Sequence, residues 1–361
     1  MTYQPDRLQK LITQYGNPDA LIDNHQLKKN GYAIWGFDQT IEYSKKGLYV
    51  DSNKSIQDPF TLLQSLINKW IQSEQKIAAI GFLSYDIKNI LYPHIKFKSI
   101  KNNFPYMWFA KPKKIKSYTI SSAENSLDKI NLFSEKEDIL SLEKYKEKIS
   151  LIKKELKKGN SYQINFTMPK SFDIKTTPLQ IYLEIRKSVK PAFGYYLNIG
   201  EHYILSFSPE EFFHTKGNII RTYPMKGTNS RGSSLEEDTL LKEELQNSRK
   251  DKAEHLMIVD LLRNDIGKLC KYGTVKVKDL FRVNSYPTIH QMVSCVYGIL
   301  KNKINHTDIL QALHPGGSVT GAPKESSMKI IDSLENYNRG IYTGTIGFID
   351  NIGDMYFNMA I

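Results

Sequence analysis

Gly194-Tyr-Tyr-Leu-Asn-Ile-Gly200-Glu201-His-Tyr-Ile-Leu-Ser-Phe207 decides the fold class. Two apolar runs, Gly194 to Ile199 and His202 to Phe207, flank a Gly-Glu turn and read as a strand pair. The same device recurs around Lys216-Gly217-Asn218, between Phe212-Phe213 and Ile219-Ile220. It recurs again around Asn351-Ile-Gly-Asp354, between Thr345 to Ile349 and Met355 to Ile361. Tyr162 to Met168, Val275 to Val283 and Ile289 to Leu300 add further strands by alternation or β-branched content, and Ile77 to Tyr85 reads as a buried one. Helices stand between these pairs. Asp58-Pro59 opens one as N-cap and N1, with Leu62, Leu63, Leu66, Ile67 and Trp70 as its apolar stripe. Leu142, Tyr145, Ile149, Ile152 and Leu156 mark another, stopped at Gly159. Ser234-Leu-Glu-Glu237 is a capping box for a helix to about Gln246, and Pro323 at N1 starts Lys324 to Leu334. Strand pairs outnumber βαβ units, so the expectation is α+β with largely antiparallel sheets.

The chain has 361 residues, enough for one large or two ordinary domains. Ser117 to Lys146 is poor in large apolar residues and reads as a polar surface crossing. The expected division is an N-terminal α+β part (1–116), the crossing (117–141) and a larger C-terminal region (142–361). A net charge of +12 arises from lysines scattered over the whole chain, which reads as composition rather than a binding patch. No nucleic-acid motif appears, and none is expected as a ligand. Two cysteines, Cys270 and Cys295, cannot form a disulfide framework and have no histidines at zinc-ligand spacing. They fit a reducing cytoplasm. The start, Met1-Thr-Tyr-Gln-Pro-Asp, lacks the apolar core of a signal peptide, and no apolar run approaches a membrane span.

Four segments carry candidate chemistry. Lys226 lies in Tyr223-Pro-Met-Lys-Gly-Thr228, with Pro224 and Gly227 fixing the backbone on both sides. A lone lysine is ordinarily a surface residue; one held among apolar flanks can act as an amine nucleophile. Asp251 and Glu254, three apart, share a helix face next to an apolar segment. They read either as a solvated face paired with Lys250 and Lys252 or as a divalent-cation site. His314-Pro-Gly-Gly-Ser-Val-Thr-Gly-Ala-Pro-Lys324 puts glycines before a helix start, suiting a carboxylate or phosphate, or serving as a plain turn. It lacks the Gly-Lys-Ser/Thr of a nucleotide loop, which argues against ATP chemistry. Glu210, after Ser208-Pro209 at the end of an apolar strand, reads as a turn residue or as a general acid kept protonated by its surroundings.

Together, Ser208 to Phe212, Tyr223 to Thr228, Lys250 to Asp265, Ser294, Pro315 to Lys324 and Tyr342-Thr-Gly-Thr-Ile-Gly347 resemble the chorismate-utilising enzymes. That family includes anthranilate, aminodeoxychorismate, isochorismate and salicylate synthases. The resemblance runs from about Leu142 to Ile361, with an echo at Gly81-Phe-Leu-Ser-Tyr-Asp86. It implies a layered β-sandwich flanked by helices. Within the family, lysine at position 226 together with Gln163 looks like aminodeoxychorismate synthase. Anthranilate synthases have alanine at the former position, and isochorismate and salicylate synthases have lysine at the latter.

The resemblance implies a mechanism. Lys226 attacks C2 of chorismate, Glu210 protonates the departing C4 hydroxyl, and ammonia displaces the lysine at C4. It further implies Mg2+ on Glu254 with Asp251 in support. Substrate would be held by Gly227, Thr228, Ser318, Tyr342, Thr343 and Gly344. Ammonia would come from a glutamine amidotransferase subunit in a heterodimer. Gln291 stands where many members have a histidine linked to pyruvate elimination, and His290 is adjacent. The family pattern continues past Ile361, with an arginine, a glycine-rich strand and a metal-binding glutamate, so a chain ending there is expected to lack synthase activity. Anthranilate synthase component I, or a non-catalytic remnant of the family, are the alternatives.

Overall fold

The computed structural model describes residues 7–24, 30–100, 102–120, 133–136 and 140–361. The first six residues and most of the polar crossing lie outside the described residues.

The strand pairs of the sequence form one 15-stranded sheet. From one edge its order is Tyr203–Ser208, Phe193–Asn198, Ala20–Asn24, Asn30–Ser44, Met107–Thr119 and Ile77–Leu83. It continues through Thr345–Asp350, Met355–Met359, Glu211–Lys216, Ile219–Thr222 and Ile289–Ile299 to Met225–Ser230. Lys276–Ser285 branches from Ile289–Ile299, and a small hairpin branches from Asn30–Ser44. The pairings along this order are antiparallel. Both the 1–116 and the 142–361 portions supply strands to the same sheet, Ala20–Asn24 against Phe193–Asn198 and Ile77–Leu83 against Thr345–Asp350.

The sheet curls on itself. Ser206 of the edge strand accepts from the Asn358 side-chain amide at 3.3 Å, and Ser208 donates to the Met359 carbonyl at 2.6 Å, although the Met355–Met359 strand is seven places away in the hydrogen-bonded order. Two stretches of one sheet can meet that way only if their faces oppose, which yields the layered core expected. On the other face, Ala79, Phe213, Val296, Ile349 and Phe357 pack with Leu63 and Ile67 of the Pro59–Trp70 helix. Val259 and Ile266 of the Arg249–Leu269 helix and Leu310 of the His306–Leu313 helix complete that layer. Each fully buried Val, Leu, Ile or Phe side chain among them contributes about 1.5–3 kcal/mol.

Local signals held where they rest on a cap. The Asp58 carboxylate accepts from the Thr61 N–H at 2.8 Å, ahead of Pro59 at N1. Ser234 caps the Leu235–Asn247 helix, but Glu237 reaches back to the Ser233 N–H at 2.7 Å, so the expected reciprocal box closes one residue early. Pro323 is the N-cap of Lys324–Leu334 and not its first helical residue. One expectation needs correction. Tyr162 to Met168 is strand only at Gln163–Ile164, because its partner, Gly321–Ala322, is two residues long. The helix expected from Leu142 forms as Leu142–Lys157, with Ile152 as its buried residue and Leu142 61% exposed. It meets the Lys324–Leu334 helix, and Tyr145 of its stripe lies against Phe166.

Candidate active site

Met225–Ser230 forms the sheet edge that carries Lys226. Met225 pairs with Val293 and Thr228 with Gln291, so Lys226 and Gly227 together oppose the single residue Met292. The sequence-level kink is therefore a β-bulge, a device that re-aims a side chain out of the ladder's alternation. Gly227 takes the left-handed conformation this needs, at φ +90°. A Cβ there would also lie 3.1 Å from the Asp251 Cβ, so the bulge rests directly on the first turn of the Arg249–Leu269 helix.

That contact brings the lysine to the acids. Lys226 Nζ lies 3.6 Å from Glu254 Oε2, with both side chains about one-third exposed (34% and 38%). Lys250 reaches the other Glu254 oxygen at 3.9 Å. Asp251, one turn earlier, accepts from the hydroxyl of the N-cap residue Ser248, whose oxygen in turn takes the Asp251 N–H at 3.2 Å. Of the two readings of the acid pair, the contacts seen are those of the lysine-paired face: Glu254 has Lys250 and, from the neighbouring strand, Lys226 as partners.

The next residue, His255, escaped the sequence reading because it sits inside an apolar run. It is fully buried. Its Nδ1 lies 3.1 Å from the Lys226 carbonyl oxygen and its Nε2 2.7 Å from the Ser294 hydroxyl. A carbonyl can only accept, so Nδ1–H donates to Lys226 and Nε2 accepts from Ser294. Ser294 Oγ also takes the Phe281 N–H at 3.1 Å. Gln291 completes the cradle, accepting from the Thr228 hydroxyl at 2.8 Å and donating to the Gly227 carbonyl at 2.9 Å. His290 points elsewhere, to Ser285 and Asp238. The Gln291 amide, with both ends engaged on the lysine strand, offers no acid–base function.

Glu210 is buried, and its position is set by its neighbours' backbones. Ser208 Oγ accepts the Glu210 N–H at 3.1 Å and donates to the Met359 carbonyl at 2.6 Å. Burial pushes the Glu210 carboxyl up to about 8. The hydrogen bond from Ser318 Oγ, at 3.4 Å, and the Lys226 charge pull the other way. Desolvation dominates, and near neutral pH this is a protonated acid.

Ser318 arrives on a segment the sequence describes as a loop. The structure makes Gly317–Thr320 a single helical turn, followed by the Gly321–Ala322 ladder with Gln163–Ile164. Lys324, nearly fully buried, donates to Asp265 at 2.7 Å and to the Leu313 carbonyl at 3.5 Å, tying both ends of the segment to the acid helix. A Cβ at Gly321 would stand 2.0 Å from the Gln163 carbonyl oxygen, and φ is +136°. Close approach accounts for this glycine without invoking an anion. Gly321→Ala is expected to lower stability by at least about 2 kcal/mol, read as a lower denaturant midpoint.

The Tyr342–Gly344 segment is divided. Tyr342 is half exposed. The Thr343 side chain turns inward, its hydroxyl accepting from Arg339 at 3.2 Å. Gly344 sits where a Cβ would meet the Leu83 carbonyl oxygen at 2.4 Å. Glu210, Ser318, Lys226, Gly227, Thr228, Asp251 and Glu254 are brought together, and the Thr343 hydroxyl is engaged by Arg339.

Among the described residues no cluster of three or more His, Cys, Asp or Glu side chains could enclose a metal ion. Two partly exposed carboxylates, Glu254 and Asp251, are a donor set that fits Mg2+, which commonly takes one or two carboxylates and completes its shell with water and substrate oxygens. No helix among the described residues is long and apolar enough to cross a membrane.

The family model described as chorismate binding enzyme matches residues 18–361. The chain is 37% identical over 297 residues to anthranilate synthase component 1 of Saccharolobus solfataricus, covering 78% of this chain and 70% of that protein. It is 39% identical over 253 residues to the chloroplastic aminodeoxychorismate synthase of Arabidopsis thaliana, covering 69% of this chain and 27% of that one. It is 37% identical over 230 residues to aminodeoxychorismate synthase component 1 of Escherichia coli, 64% of this chain and 51% of that one. It therefore spans about half the length of that bacterial relative. The solved anthranilate synthase component I of Streptococcus pneumoniae superposes with a TM-score of 0.78 at 25% identity, over 92% of this chain and 83% of that one.

Proposed function

The chain belongs to the chorismate binding enzyme family, and from that premise we propose that it is an aminodeoxychorismate synthase subunit. The reading is carried by one observation: a bulged strand delivers the Lys226 amine to Glu254, within electrostatic reach of the buried Glu210 acid. A serviceable amine in that place permits a covalent route. As a neutral amine, Lys226 adds to C2 of chorismate while the ring double bonds shift and the C4 hydroxyl leaves. Glu210 supplies the proton that makes water of it. Ammonia then adds at C4, the double bonds shift back, and the lysine departs. The balance is chorismate plus ammonia to 4-amino-4-deoxychorismate plus water.

Ser318 orients the Glu210 carboxyl, and Thr228 with the Gly227 backbone faces the ring carboxylate. Tyr342 is assigned to the enolpyruvyl side. Mg2+ held by Glu254 and Asp251 would neutralise a substrate carboxylate. His255 and Gln291 immobilise the backbone under Lys226. With the Gln291 amide fully engaged, no group at that place promotes loss of pyruvate, so the product keeps its enolpyruvyl group. The bacterial relatives are named as component 1 of their synthases, which supports a separate subunit as the ammonia source.

The full-length protein, given chorismate, Mg2+ and ammonium, is expected to form 4-amino-4-deoxychorismate and to release 4-aminobenzoate only when a lyase is added. Direct appearance of 2-aminobenzoate would replace this reading with anthranilate synthesis, the activity named for the Saccharolobus relative.

A further inference from the structure

Arg339 lies in the loop after the Lys324–Leu334 helix and is 7% exposed. Its five N–H donors are all engaged. Nε and Nη2 make a two-pronged bond to the Glu335 carboxylate at 2.9 and 2.8 Å. Nη1 donates to the Val319 carbonyl at 3.0 Å and to the Thr343 hydroxyl at 3.2 Å. Nη2 also donates to the Asn165 carbonyl at 2.6 Å. The guanidinium carbon lies 4.4 Å from the centre of the Tyr85 ring. Glu335 in turn receives the Thr167 N–H and hydroxyl at 2.9 and 3.0 Å.

These partners come from separate parts of the chain. Val319 is the neighbour of Ser318, Asn165 stands two residues after Gln163, Thr343 follows Tyr342, and Tyr85 lies in the echo segment of the N-terminal part. A core ion pair needs only two partners. This one spends three of its donors on main-chain and hydroxyl oxygens of segments that line the proposed substrate site. No lysine could do the same, having three donors and no planar fork.

We propose that Arg339 is a positioning residue that sets the Gly317–Thr320 turn, and hence the Ser318 hydroxyl, against Glu210. Without the Arg339 bonds to Val319 and Asn165 the turn keeps only its direct links to that segment, the Asn165 N–H to the Thr320 carbonyl at 2.9 Å and the Asn165 side-chain amide to the Val319 carbonyl at 3.1 Å, and this looser hold lets Ser318 drift from an already long 3.4 Å contact. The consequence for turnover rests on the function proposed above; the mechanical claim does not.

The test is therefore double. In Arg339→Lys, backbone amides of residues 317–321 should exchange with deuterium at least tenfold faster than in the wild type, while those of the Arg249–Leu269 helix keep their rates. Glu335→Gln, a milder variant, should give the same local pattern at lower amplitude. Unchanged exchange at 317–321, or a uniform acceleration across the protein in both variants, overturns the proposal. Chorismate consumption then reads the coupling. Arg339→Lys should lower kcat/KM by about 100-fold alone but by less than about tenfold in a Ser318→Ala background, because the two act through one contact. Equal losses in both backgrounds would make Arg339 a generic core residue and also overturn it. A wild-type protein that leaves chorismate untouched removes the functional reading, and the exchange data decide the positioning claim alone.

Discussion

Lys226→Ala is expected to lower formation of 4-amino-4-deoxychorismate by about 10⁴-fold or more, the scale on which covalent nucleophiles fail when removed. The fold should survive, since the side chain is one-third exposed and the bulge is held through the Lys226 carbonyl rather than its amine. The shortened side chain leaves space above C2, where ammonia itself can add. A trace of 2-amino-2-deoxyisochorismate, the C2 adduct with its enolpyruvyl group kept, would fit that vacancy. Lys226→Arg should fail as badly, because a guanidinium keeps its proton and is a poor nucleophile. Chorismate, Mg2+ and ammonium with product separation measure both variants. Undiminished 4-amino product in either would remove Lys226 from the chemistry.

The second large effect concerns Glu210. Its carboxyl is raised from the ordinary 4.5 to about 8, chiefly by burial. As a general acid it must carry its proton, so kcat is expected to fall as pH rises through about 8. Glu210→Gln should lose about 10²–10⁴-fold in kcat and with it that alkaline limb. The same group fixes a sign for stability. Between about 4.5 and about 8 the unfolded chain has released this proton and the folded chain has kept it. The folded state therefore binds more protons, and stability declines with rising pH over that window, by up to about 1.4 kcal/mol per pH unit from this group, levelling off above it. Glu210→Gln should flatten that slope in denaturant titrations at successive pH values. An unchanged slope would show that Glu210 is ionised in the folded protein near neutrality.

Signals that act over a few residues were legible in the sequence. Asp58 with Pro59 and Ser234 announce their helices because a cap is a local hydrogen bond. Hairpins announce themselves through their turns. The order of the sheet was not legible: nothing in Thr345 to Ile349 says that it inserts between Ile77–Leu83 and Met355–Met359. The alternation in Tyr162 to Met168 was a true pattern with too short a partner. In the site, residues whose neighbours constrain them, such as Lys226 beside Pro224 and Gly227, could be singled out. His255 and Arg339 could not. A histidine within an apolar helical run and an arginine in a loop gain meaning only when distant carbonyls reach them. Thr343 was singled out by its motif, but the bond its hydroxyl accepts from Arg339 could not be read from the sequence.

The pairing of Ile77–Leu83 with Thr345–Asp350 sets a timetable for biosynthesis. Leu83 emerges from the ribosome long before its partner Thr345 exists. About 260 residues must be added in between, which takes roughly 13–50 s at 5–20 residues per second. During that interval a seven-residue, wholly buried apolar strand has one neighbour, Met107–Thr119, and an open hydrogen-bonding edge on the other side. An unsatisfied apolar edge of this kind recruits other chains. The nascent protein therefore carries an unpaired apolar edge through most of its translation, and synonymous changes that slow the ribosome between these two strands should lower soluble yield without altering the finished molecule.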